Sequence, residues 1–214
     1  MGWDISGANL SSFDKLYNSA SCTADYRFNT YRRLSSLDGA ANIALILAST
    51  ALIVVSFIVA MYAGKLGRTE TIITIGQNCL PIVMLALSIL VSGAKYGSRA
   101  EKIHDCAQAL NHFKKILKYE ISSTQFVPTT QKFIEFANQY AEIISKYENH
   151  SKIDLSIESI RKINSPLILK PVLELIASIF GRGLLYYFYL FISITSICWM
   201  VLGVYIAIKE VTPC

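Results

Sequence analysis

Three stretches of this chain carry no charged side chain at all: Gly39–Gly64, Thr71–Ala94 and Gly183–Ile208. A helix needs roughly 20 residues to cross a hydrocarbon core about 30 Å thick, and each stretch exceeds that length. Buried helices of soluble domains rarely run so far without a charge. The rest of the composition agrees. Charged residues are 16% of the 214, against about 25% in an ordinary soluble domain. A signal peptide does not explain the first stretch, which begins behind a polar segment and is longer than an h-region. The reading is three transmembrane helices, with spans at about 40–63, 72–94 and 183–208.

Lysine and arginine set the expected orientation. Seventeen of the 20 lie in residues 1–38 and 95–182, and only Lys65, Arg68 and Lys209 lie elsewhere. The short linker between the first two spans makes them a hairpin, so the N-terminus and the middle segment share one side. The positive-inside rule makes that side cytoplasmic, with the C-terminus outside. Arg32, Arg33, Lys95 and Arg99 stand next to span ends and are expected at the membrane surface. The net charge of +5 reports this topology and contact with anionic lipid, not nucleic-acid binding. The five cysteines form neither a CxxC pair nor a zinc pattern.

Within the spans the polar residues are ordered. Asn42, Ser49 and Ser56 are spaced by seven on one face of the first helix. Thr74, Gln77, Pro81 and Ser88 form a stripe on the second, with Asn78 beside it. Polar side chains in lipid must face another helix or water. Two readings stand: glue between packed helices, or the lining of a water-filled path in an oligomer. Pro81 is the candidate kink or gate, because proline removes a backbone hydrogen bond and crowds the preceding turn.

From Tyr96 the pattern turns charged without a breaker, so membrane helix and cytosolic helix are expected to form one rod. Ile103, Cys106, Leu110, Phe113 and Leu117 recur at heptad spacing, as do Phe133, Phe136, Tyr140, Ile143 and Tyr147 after the loop around Pro128. Two such seams joined by a turn describe an antiparallel helical hairpin, a stalk, over 95–150. Residues 1–20 are expected to fray, and 24–37 to form a short amphipathic helix at the membrane surface within the N-terminal segment 1–38. Asn149 suits the end of the stalk. Residues 151–182 read as a linker with an interfacial helix, and 209–214 as a tail.

Chemistry is sparse. His104, His112 and His150 could converge on a metal only across the hairpin, and no HExxH, GxSxG, P-loop or GxGxxG occurs. The expectation is no enzyme, no metal and no cofactor. Acidic residues are absent from the span interiors, which argues against a proton-coupled transporter.

The helix "YRFNTYRRL", the two-span hairpin, the run "YGSRAEKIHDCAQALNHFKKIL" and the closing "YAEIISKYENHSKID" together resemble the SLATT proteins, bacterial two-span effector domains. The resemblance covers about residues 24–165. Its most specific parts are Y-x-x-I-I-x-x-Y-E-N-H, ending at His150, and Arg99 at the stalk entry. The third span departs from the bare two-span plan and is similar to a subset with an added hydrophobic segment, some of them encoded beside reverse transcriptases. The resemblance implies an anti-phage effector in the bacterial inner membrane. It would be triggered by a nucleotide second messenger or released by a partner such as a reverse-transcriptase complex, and would then permeabilise the membrane as a homo-oligomer.

The expected fold is therefore an all-α membrane protein, with a two-span hairpin over 39–94 continuing into a cytosolic antiparallel hairpin, plus a third C-terminal span. The rival to a pore is a membrane-anchored scaffold that recruits a soluble enzyme through its basic hairpin. A membrane enzyme built on the three histidines is the remaining alternative.

Overall fold

The computed structural model describes residues 10–62, 67–147 and 183–211. The described residues form five helices: α1 (Leu10–Met61), α2 (Gly67–Ala94), α3 (Tyr96–Ser122), α4 (Thr130–Ser145) and α5 (Leu184–Val211). Three helical stretches, in α1, α2 and α5, are long and apolar enough to cross a membrane. In hydrocarbon every backbone N–H and C=O must be satisfied within the chain, which a helix does. Large apolar residues such as Ile46, Phe57, Ile82, Leu90 and Phe191 stand exposed on these helices. The fold is that of an all-helical membrane protein. The linker and interfacial helix expected over 151–182 lie outside the described residues, as do Asn149 and His150.

Two departures from the sequence reading concern where helices start and stop. Residues 10–37 are neither frayed nor a separate short helix. They are the first turns of α1, which runs without a break through Gly39 to Met61. Its inward positions recur at spacings of three and four all the way: Phe13, Leu16, Ala20, Ala24, Arg27, Thr30, Leu34, Leu37, Ala41, Ala44, Ala48, Ala51 and Val55 are all buried. A buried stripe of that length explains why one glycine, a penalty of about 1 kcal/mol, does not end the helix.

The second departure is at Lys95. The helix is interrupted there: Lys95 sits at φ 48, the left-handed region, between α2 and α3. That conformation costs a non-glycine residue of order 1 kcal/mol.

The chain divides into two compact units. One comprises the start of α1 with α3 and α4. Phe13, Leu16 and Ala20 of α1, Phe113 and Leu117 of α3, and Phe133 and Phe136 of α4 form one core. Ala24, Cys106 and Leu110 form the next layer, covered by Tyr140, Ile143, Ile144 and Tyr147. Contacts ascend α4 as they descend α3, so those two helices run antiparallel. The N-terminal stretch of α1, which the sequence reading left out of this core, is its third helix. Between α3 and α4 the chain turns through residues 123–129. Thr129 caps α4 by accepting a hydrogen bond from the Lys132 amide at 3.4 Å, satisfying an otherwise orphaned donor.

The other unit comprises the remainder of α1 with α2 and α5. Ala41, Ala44 and Tyr189 form its first core layer, backed by Val91, Tyr96 and Ile192. Small residues on α1 let the neighbouring backbones approach closely, which is how helices associate where lipid supplies no hydrophobic drive. The same device recurs at Gly203 of α5, where an added Cβ would lie 3.2 Å from Val55.

Candidate functional site

In the membrane unit, α1 and α2 run antiparallel. Near one end Gln77 Nε2 donates to Ser56 Oγ at 3.1 Å, joining two of the polar-stripe residues across the helices. Ser56 in turn donates to the Leu52 carbonyl at 2.8 Å, and Ser49 to the Leu45 carbonyl at 2.8 Å. Each hydroxyl thus spends its hydrogen on its own helix and keeps its lone pairs outward. Farther along, Ser49 of α1 and Pro81 and Ser88 of α2 line one open groove of about 490 Å³, with Leu45, Leu52 and Leu85. Pro81 stands inside α2, which continues through it.

The remaining stripe residues lie apart from that groove. Asn42 is exposed and donates to Asp38 at 3.3 Å, one turn back. Thr74 and Asn78 are exposed on α2. Asn42, Ser49 and Ser56 share one exposed face of α1, as their spacing of seven gives, away from the buried Ala41, Ala44, Ala48 and Ala51.

A second groove, of about 290 Å³, lies among all three helices. It is lined by Ala48 and Ala51 of α1, Gly76 and Cys79 of α2, and Thr195 and Trp199 of α5. The Trp199 ring packs on Gly76, and its Nε1 is buried without a hydrogen-bond partner. No motif pointed to this contact, since a lone glycine and a lone tryptophan carry no spacing signal.

In the bundle unit, the stalk-seam residues Ile103, Leu110, Phe113, Leu117, Phe133 and Phe136 are buried, and Tyr140, Ile143 and Tyr147 pack on the core around them. The Y-x-x-I-I-x-x-Y motif therefore presents one continuous side to Ala24, Cys106 and Leu110. At the centre lies Arg27, 1% exposed and the largest fully buried side chain among the described residues. The sequence reading counted it only among the basic residues that set the cytoplasmic side. Its place in the buried register of α1 was the available signal.

Around Arg27 the Tyr140 hydroxyl shares a 2.9 Å hydrogen bond with Thr23, tying α4 to α1. Burial pushes the Tyr140 phenol up from its ordinary range, while the Thr23 bond and Arg27 hold it down in part. Burial likewise pushes the Cys106 thiol up, against the pull of Arg27. A thiol held protonated in this way is a poor nucleophile and a poor metal ligand. His104 stacks on Tyr31 at 4.5 Å between ring centroids and meets Phe28 edge-on at 5.8 Å, with Gln108 bonded to its Nε2 at 2.8 Å. Arg32, Lys95 and Arg99 are exposed, and Arg33 is half-buried.

Three apolar helices long enough to span a bilayer, a polar-edged groove between the first two and a helical bundle define a helical membrane protein. The chain belongs to the SMODS and SLOG-associating 2TM effector domain family 5, whose model matches residues 9–208. The match is wider than the resemblance over 24–165: it begins just before α1 and takes in α5. The family is a two-transmembrane effector domain associated with defence systems. No curated protein and no solved structure matches the chain.

Proposed function

We propose that the protein is a membrane effector of bacterial anti-phage defence that assembles into oligomers and permeabilises the inner membrane in response to a cytosolic cue. Its N-terminus would be cytoplasmic and its C-terminus outside. The observation that carries the reading is the α1–α2 groove, where Ser49 and Ser88 flank Pro81 on a surface otherwise exposed to lipid. Two hydroxyls facing acyl chains gain nothing there. Facing a second copy or water they gain acceptor contacts. One α1–α2 pair cannot enclose an aqueous path, so conduction requires several copies around a common axis.

The test is dye release from vesicles holding the purified full chain, alongside depolarisation of expressing cells. Ser49→Leu with Ser88→Leu is expected to lower release at least tenfold at equal insertion and oligomer size. Unchanged release would remove this groove from the path.

The scaffold reading draws on the exposed Lys102, Lys115 and Lys118 of α3. It predicts that unrelated apolar helices can replace the spans without loss of function, whereas a pore cannot survive that exchange.

A further inference from the structure

We propose that the groove among α1, α2 and α5 is a binding site for one acyl chain of a bilayer phospholipid. The inference goes beyond the effector reading and does not depend on conduction. Depth comes first. Ala48, Ala51, Thr195 and Trp199 sit near the middle of their apolar stretches, and Gly76 and Cys79 lie within the uncharged stretch 71–94, so the groove opens within the apolar length of all three helices. Water has little to bind there, because apolar atoms make up nearly all of the groove's walls. A buried water needs two to four polar partners. A space of about 290 Å³ is also too large to stay empty beside fluid lipid, because its walls would forfeit their dispersion contacts.

The shape favours a chain over a bulky ring. Two alanines and a glycine add little bulk to its lining, and the flat Trp199 indole lies against the α2 backbone at Gly76. A groove lined by small side chains and a flat ring suits a flexible methylene chain. No charged side chain lines it, so the headgroup plays no part in recognition at this depth.

The experiment is native mass spectrometry of the purified full chain after detergent washing. Wild type is expected to retain about one phospholipid per chain. Cys79→Ala should retain it as well. Cys79→Phe fills the groove from an exposed position and should cut retention at least fivefold, with circular dichroism and elution volume unchanged. No retained phospholipid in wild type, equal retention in Cys79→Phe, or a retained lipophile of another class would each overturn the proposal. If Cys79→Phe fails to assemble, Trp199 carries the test. The chain has two tryptophans, so Trp3→Phe leaves Trp199 as the only indole. Phospholipid brominated at mid-chain should then quench at least half of its fluorescence, and an unquenched Trp199 would sink the assignment.

Discussion

The ring of Trp199 occupies the space that a side chain on Gly76 would need: a Cβ built there lies 2.8 Å from Cζ2 and 3.1 Å from Cη2 of the indole. The indole is rigid and wedged, so it cannot yield as the tip of a lysine would. Gly76→Val is expected to destabilise the membrane unit by about 1–3 kcal/mol, the usual cost of overpacking. Adding Trp199→Leu should recover most of that loss. Thermal unfolding in detergent measures both, and an unshifted midpoint for Gly76→Val would show that the contact is not tight.

Phe13 meets three rings edge-on, with centroids 5.1 Å from Phe126, 5.5 Å from Phe133 and 6.4 Å from Phe136. It is fully buried although it lies near the start of α1. Phe13→Ala is expected to cost about 3–5 kcal/mol by transfer and cavity terms. Leu10→Ala, at a position 49% exposed, should cost a small fraction of that. Denaturant midpoints of the full chain compare the two. Equal effects would mean that the N-terminal stretch does not belong to the bundle core.

Arg27 is buried at the centre of the bundle and is held there by its own contacts. Removing such a side chain leaves the buried groups that met it unsatisfied, at about 1–3 kcal/mol. Arg27→Met should therefore lower stability, and Arg27→Ala should lower it further through the void it leaves. Because Arg27 lowers the raised pKa of Cys106, Arg27→Met should also push that thiol further up. The pH dependence of alkylation at Cys106, followed by mass spectrometry of the peptide, reads the shift. No movement of that profile would uncouple the two residues.

Tyr140 titrates above the ordinary phenol range when folded, chiefly because it is buried. The folded state thus holds its proton more tightly than the unfolded chain. That stability is fully present below the unfolded value near 10 and is lost as pH rises through the folded value. Tyr140→Phe should flatten the decline in stability above about pH 10. Near neutrality it should cost about 1 kcal/mol for the lost Thr23 hydrogen bond. Unfolding midpoints from pH 8 to 11 test both, and parallel profiles for wild type and variant would refute the assignment.

Some of these features were legible beforehand. The seams 103–117 and 133–147 could be read because their inward residues are large and apolar, and the charges between them mark the outward faces. The first turns of α1 could not be read in the same way. Their inward register runs through Ala20, Ala24, Arg27 and Thr30, residue types that resemble a surface face until partners cover them. The spacing of Asn42, Ser49 and Ser56 by seven places them on one helix face. Which of them shares a groove with Pro81 depends on the approach of α2, and spacing within one helix says nothing about that.

By itself the sequence determined that three helices are long and apolar enough to cross hydrocarbon and that α3 and α4 bury one side each. Membrane thickness and helical period are constraints that act along a single chain segment. Only the tertiary structure decided that α1 continues unbroken from Leu10, that Arg27 is buried, that Lys95 separates α2 from α3, and that Trp199 closes over Gly76. Those outcomes turn on which surfaces meet, and small or polar residues become interior ones only when a second helix comes close enough to exclude everything else.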